Sequence, residues 1–325
     1  MKFARRRFLC LAAAAAAVPA AGPMARAQNY PTRPLRWIVG FPPAGGADTV
    51  VRIVAPWLAE RLGQPVVIEN KPGATTNISI QAVVSSPPDG YTLVFVAASA
   101  AVNVSLFDNL PFSLTRDIAP VSGLVDFPLV MIANPSVPAK TVAEFISYAK
   151  ANPGKITIAS FGTGSTSHVA GELFKAMADI NLVHVPYRGG AAMLTDLVAG
   201  QVQVGFDVMT TAYPHIRAGA LRALGVAGKH RFEGLPEVPT IGETIPGYEA
   251  NSWAGVGVPR GTPTEIVERL NREINAGLAD PVVKARLAQV SATPLLLSSA
   301  AFGAYVASEI DKWGEVVRRA GIKPE

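Results

Sequence analysis

Cysteine is nearly absent. The 325-residue chain has one, Cys10, so no intrachain disulfide is available and a thiolate metal site has no second ligand. Charge is scarce as well, 16% against 49% hydrophobic residues, which excludes a chain held open by self-repulsion. No apolar run reaches the roughly 20 residues that span a bilayer; Phe8 to Ala21 falls well short. Histidine is limited to His168, His184, His215 and His230, with no HExxH spacing and no tight His/Asp cluster, so the sequence offers neither a metal site nor an obvious cofactor site.

The first residues read as an export signal. Lys2, Arg5, Arg6 and Arg7 precede the apolar stretch, and Ala25-Arg26-Ala27 is a small-x-small cleavage site, placing the mature N-terminus at Gln28. Arg5-Arg6-Arg7-Phe8-Leu9 also fits the core of a twin-arginine signal, so Sec and Tat routes both stay open. Cys10 stands at the start of the apolar stretch, whereas a lipoprotein cysteine follows it. Residues 1–27 hold five of the 29 Lys and Arg and none of the 24 Asp and Glu, so the remainder carries 24 of each sign. A formally neutral mature chain has no surplus with which to neutralise nucleic-acid phosphates.

From Leu35 one grammar repeats: a short β-branched run, a Gly/Pro/Ser/Thr loop, then an amphipathic stretch. Leu35 to Gly40 reads as a strand, and Asp48 to Leu62 as a helix with Val51, Val54, Ala55, Leu58 and Leu62 on one face. A second series begins near Leu129 and ends near Val226. The tail from Trp253 has one short strand and two helical patterns, too little for a domain of its own. This predicts an α/β fold of two lobes, residues 28–127 with 252–325 and residues 128–251, whose parallel or mixed sheets carry helices on both faces. The chain crosses between the lobes twice, which makes a hinge and a ligand cleft.

Two loops after strands stand out. In Phe41-Pro42-Pro43-Ala44-Gly45-Gly46-Ala47-Asp48 the glycines admit a ligand to the backbone, and Asp48 reads as the N-cap of the next helix. In Phe161-Gly162-Thr163-Gly164-Ser165-Thr166-Ser167-His168 glycines and hydroxyls again precede a helix. Helix N-termini present unsatisfied N–H groups, so each loop suits an anion, although ordinary βα turns look the same. Neither fits a nucleotide-phosphate motif. Asp207, ending an apolar strand, is placed to receive an amine or hydroxyl, or to serve as a cap; Tyr187 and Arg188 follow another strand. His168 and Glu172, four apart, read as a surface or helix-start polar pair. Ser165 lacks the second glycine of a GxSxG elbow, and a secreted hydrolase using Ser165 and a histidine is the weakest alternative.

Taken in order, FPPAGGADTVVR (41–52), ENKPGATTNI (69–78), PDGYTL (88–93), FGTGSTSHVAGELF (161–174), HVPYRGG (184–190), TDLVAGQVQVGFD (195–207), PHIRAGALRALGV (214–226) and LPEVPT (235–240) resemble the Bug-type extracytoplasmic receptors of tripartite tricarboxylate transporters. The resemblance implies a periplasmic-binding-protein fold that closes on a small carboxylate without cofactor, metal or chemistry. It implies a monomer in the periplasm serving membrane permease subunits, or else presenting its ligand to a sensor kinase. It extends the candidate ligand residues to Phe41, Ala44, Gly45, Asp48, Thr76, Asn77, Ser99, Phe161, Gly162, Gly164, Ser165, Thr166, Tyr187 and Asp207. Three departures point to a more apolar pocket than a citrate receptor's: Thr75-Thr76 in place of glycine or serine, Ala100-Ala101 after Ser99 in a strand-end loop, and Val208 in place of asparagine.

Overall fold

The computed structural model describes residues 30–107 and 109–323, so the export-signal reading of residues 1–27 lies outside the described residues. The first sheet begins with β1 (Leu35–Val39), β2 (Val66–Asn70) and β3 (Thr92–Ala97), parallel with β1 in the middle and connected through α1 (Gly46–Leu62) and α2 (Asn77–Val84). Helices α3 (Ala98–Leu106) and α4 (Leu114–Asp117) lead to β4 (Ile118–Phe127). The second sheet follows: β5 (Leu129–Ala133), α5 (Val142–Ala151), β6 (Thr157–Ser160), α6 (Thr166–Ala178), β7 (Val183–Pro186), α7 (Gly190–Val198), β8 (Val204–Val208), α8 (Met209–Arg217) and β9 (Arg222–Val226). The chain then returns through β10 (Ser252–Pro259), α9 (Thr264–Ala279), α10 (Pro281–Gln289), β11 (Thr293–Pro294) and α11 (Ser299–Ala320).

The strand orders are β11-β4-β10-β3-β1-β2 and β7-β6-β8-β5-β9. Both sheets are mixed rather than purely parallel: β10 is antiparallel to β3 and β4, and β5 is antiparallel to β8 and β9. β5 and β10, which arrive directly from the other lobe, run against the strands beside them, and the two-residue β11, antiparallel to β4, shares the direction of β10. All five residues of β5 and all six of β3 are buried. A strand covered on both faces is a continuous apolar run, and such a run carries no mark of its direction.

Local signals explain most elements. The five predicted apolar positions of α1 are all buried, and the helix stops where Gly63 turns left-handed at φ 68°. Thr141 caps α5 by accepting the Glu144 amide. Two elements lack a periodic signal. In α3 every residue from Ala98 to Asn103 is buried, so no polar stripe marks it as helix, and Ala100-Ala101 lie in this helix rather than in a loop. In β4 burial does not alternate. α10 carries a cap signal instead: Asp280 accepts the Val282 and Val283 amides, and Pro281 occupies the first turn.

The chain passes between the sheets at Pro128, the one residue between β4 and β5, and again between β9 and β10. The two passages lie side by side. The Ala227 amide donates to the Leu129 carbonyl at 2.7 Å, the Ala250 amide to the Ala227 carbonyl at 2.8 Å, and the Asn251 side-chain amide to Asp126 at 2.8 Å. One buried cluster also runs across the lobes, from Ile38 and Val94 through Val102 and Trp313 to Phe174 and Phe206. Full burial of each such side chain contributes about 1.5–3 kcal/mol, and the lobes are therefore held in contact.

Candidate functional site

The candidate residues gather at the C-terminal ends of the parallel strands in both lobes, where ligands of open α/β sheets bind. In the first lobe the chain leaves β1 through Gly40, packed so closely that a Cβ there would stand 2.5 Å from Ser79 Oγ and 2.9 Å from Thr76 Cβ. Ala44 turns left-handed at φ 64°. Gly45, not Asp48, is the N-cap of α1. Asp48 sits inside the first turn and works as the anchor of its own loop. Its carboxylate accepts the Ala44 amide at 2.8 Å, Arg52 Nε at 2.7 Å and Asn70 Nδ2 at 3.0 Å; Asn70 Nδ2 also reaches the Phe41 carbonyl at 3.0 Å.

The Arg52 hydrogen bond is the main force that pulls the Asp48 carboxyl down to about 2, against the opposing effect of burial. A depressed carboxylate pKa contributes stability above the unfolded value of 3.8, and that contribution disappears as pH falls through about 2. Asp48→Asn is therefore expected to lower the urea midpoint at pH 7, with the gap to wild type closing progressively below pH 4. A gap that stays constant down to pH 2.5 would assign the loss to packing.

The second piece of the first lobe is strained. Ala74, Thr75 and Thr76 have φ of 45°, 49° and 78°, three consecutive non-glycine residues in the left-handed region. Each costs on the order of 1 kcal/mol, and such strain persists only where surroundings impose it. Here the surroundings are Asn103, whose Nδ2 donates to the Thr75 carbonyl and to Asn77 Oδ1, both at 2.8 Å, and Ser79, whose hydroxyl donates to the Thr76 carbonyl at 2.7 Å. The turn leaves Thr76 Oγ1 and, from the adjoining start of α3, Ser99 Oγ buried with no hydrogen-bond partner; Asn103 Oδ1 is in the same state. Leaving a buried polar atom unpaired costs about 1–3 kcal/mol.

In the second lobe Gly162 (φ 135°) and Gly164 (φ 74°) shape the loop before α6. Ser165 caps that helix: its hydroxyl accepts the His168 amide at 3.2 Å and donates to the Gly162 carbonyl at 2.6 Å. Its side chain is thus committed internally, and the Thr166 and Ser167 amides of the first turn have no i−4 acceptor within the helix. The loop touches the other lobe, since a Cβ on Gly164 would lie 2.3 Å from Leu106 Cδ2.

Tyr187 is half-buried and donates to Asp196 at 2.8 Å; burial, then that carboxylate, pushes its hydroxyl up to about 12. Arg188 is exposed. Asp207 is buried at 1% exposure, and burial pushes it up to about 7, although the Thr211 hydroxyl donates to it at 2.7 Å. Phe41 packs edge-on against Phe95, and Phe161 lines the core of the second lobe. His168, at the helix start, is buried and Glu172 half-buried, with His168 Nε2 3.8 Å from Glu172 Oε1, and Glu172 binds Lys175 at 2.7 Å. The ring of His168 does not meet the Ser165 hydroxyl. Two cavities, of about 200 and 440 Å3, lie elsewhere, against α4 and α11, and include none of the candidate residues. Asn103 and Ser79 were missed by sequence reasoning; Asn103 sits in the helix that carries no periodic signal.

A family model described as the tripartite tricarboxylate transporter family receptor matches residues 50–322. The chain belongs to this receptor family. BugT of Bordetella pertussis is 37% identical over 300 residues, covering 91% of this chain and 92% of BugT. Among solved structures, an R. palustris protein with adipate superposes with a TM-score of 0.82 at 36% identity, covering 91% of this chain and all of the other. The periplasmic binding protein BugD gives 0.79 at 33% identity, again with 91% of this chain and all of BugD. The receptor is thus a two-lobed solute-binding protein, and no helix among its described residues is long and apolar enough to cross a membrane.

Proposed function

We propose that the receptor, after export to the periplasm and loss of residues 1–27, captures a compact mono- or dicarboxylate between its lobes and delivers it to membrane permease subunits. It acts as a monomer and performs no chemistry. The lobes are residues 28–127 with 252–325 and residues 128–251. The observation that carries this reading is the pairing of two unpartnered buried hydroxyls, Thr76 Oγ1 and Ser99 Oγ, with the opening amides of α1 and α6 at the same ends of the sheets. Hydroxyls and amides donate to an anion without a cation, and charge-assisted hydrogen bonds of this kind are about twice as strong as neutral ones.

The remaining candidates take graded roles. Ala44, Gly45, Gly162, Gly164, Ser165 and Thr166 form the two anion loops, and Phe41, Phe161 and Tyr187 supply apolar wall. Asn77 orients Asn103. Asp207, poised near neutrality, receives a hydroxyl or amine or shares a proton with a second carboxylate. Asp48 holds the first loop in shape. The adipate carried by the R. palustris relative fits this class and extends it to six carbons.

A thermal-shift screen tests the reading. Adipate and shorter mono- and dicarboxylates at about 100 times Kd stabilise a folded receptor by about 2.7 kcal/mol, on the order of 5 °C for a chain of this size. The corresponding amides and methyl esters are expected to give little shift. A response to neutral sugars or cations, with none to a broad carboxylate set, would overturn the anion reading.

A further inference from the structure

Behind the second-lobe loop two imidazoles lie face to face. The rings of His168, in the first turn of α6, and His184, in β7, stack with centroids 3.8 Å apart and planes inclined by 4°. Each reaches one of the two glycines that bend the loop. His168 Nδ1 accepts the Gly164 amide at 3.2 Å. His184 Nε2 lies 2.8 Å from Ser160 Oγ, and Ser160 Oγ is 3.3 Å from the Gly162 amide, which donates to it. When the Ser160 hydroxyl donates to Nε2, its oxygen lone pairs are left for that amide.

From these contacts we infer that the stacked histidines are a positioning pair: His168 fixes the Gly164 peptide and His184, through Ser160, fixes the Gly162 peptide, so that the anion loop is shaped before ligand arrives. Both glycines have positive φ, 135° and 74°, where an unrestrained peptide plane rotates freely. Preorganised donors hold an anion better than donors that must first be ordered. His168 must be uncharged to do this, because a protonated Nδ1 cannot accept an N–H. The charged neighbours are Glu172, 3.8 Å from His168 Nε2, and Lys175, which pairs with Glu172 at 2.7 Å. Burial first, then His184 and Lys175, keep the His168 ring neutral down to about pH 3. The ring is therefore an acceptor throughout the physiological range.

The inference rests on the receptor reading above for its purpose but not for its test. In the ligand-free mature protein, amide hydrogen exchange of Gly164 and Gly162 is followed by NMR, and adipate affinity is measured by calorimetry. His168→Leu removes both ring and acceptor, whereas His168→Asn also loses the ring but retains a side-chain acceptor near the Nδ1 position. Leucine is expected to speed Gly164 exchange and weaken adipate binding by at least tenfold, and asparagine by no more than about threefold, although both lower Tm alike through loss of the stack. His184→Phe keeps a stacked ring without Nε2 and is expected to speed exchange at Gly162 while sparing Gly164, which also covers a His168→Leu that fails to fold. Equal behaviour of Leu and Asn at Gly164, or no separation of the two glycines in His184→Phe, overturns the pair. If wild type takes up neither adipate nor any other carboxylate of the screen yet exchange separates the variants as expected, the pair stands and the carboxylate reading falls.

Discussion

Glu309→Leu is expected to destabilise the receptor by about 3–5 kcal/mol, the range for breaking one side of a buried charged network. Glu309 lies on α11 with 6% exposure and joins three donors. Its Oε2 accepts Trp253 Nε1 and Trp313 Nε1, both at 2.8 Å, and its Oε1 accepts Lys312 Nζ at 3.1 Å. Both indoles are essentially inaccessible, at 1% and 0% exposure, so without the carboxylate their N–H groups find neither water nor protein. Trp253 is the second residue of β10, just after the second passage between the lobes, which makes the junction the first place to loosen. Glu309→Gln keeps a carbonyl oxygen for the indoles and is expected to lose only about 1–2 kcal/mol. Urea unfolding followed by tryptophan fluorescence measures both variants; a loss below 1 kcal/mol for leucine would mean that the indoles find other acceptors.

Much of the fold was legible because the chain is punctuated. Gly, Pro and hydroxyl clusters end the strands at Val39 and Ser160, and the stripe from Val51 to Leu62 could belong only to a helix packed on one side. The loops of the site were legible for the same reason. What stayed hidden is what burial conceals. The helix Ala98–Leu106 is apolar nearly all round, so the residue that supports the strained turn, Asn103, looked like one more position in a strand-end loop. Thr75 and Thr76 adopt left-handed backbone without being glycine, because tertiary hydrogen bonds override their local preference.

Roles are harder to read from sequence than positions. Asp48 reads from the sequence as part of the first loop, but its partners Arg52 and Asn70 come from the next helical turn and from the neighbouring strand, and only pairing of β2 with β1 brings Asn70 near. Ser165 reads from the sequence as part of the second loop, and its hydroxyl closes the helix end. His168 and His184 are sixteen residues apart in sequence and meet only because β6 pairs with β7 beneath α6. Glu309 had no motif at all. Its importance comes from two tryptophans, one close in the helix and one fifty-six residues away.

The double variant Thr76→Val, Ser99→Ala is expected to move stability and affinity in opposite directions. In the ligand-free protein the two hydroxyl oxygens are buried without partners, so replacing them with apolar groups removes a penalty instead of a bond. Valine matches threonine in shape and in β-branching, and it meets the same left-handed backbone at φ 78°, so the substitution adds no new strain there. Stability should rise by about 1 kcal/mol or more. With ligand bound, the same hydroxyls are the donors that the carboxylate needs; each lost bond to a charged group costs about 1.5–3 kcal/mol, so affinity for the carboxylate giving the largest thermal shift should fall by roughly a hundredfold or more. Urea unfolding and calorimetry read the two effects separately. Unchanged affinity with lowered stability would make the hydroxyls part of the scaffold, whereas the expected split marks them as groups held unpaired for a ligand.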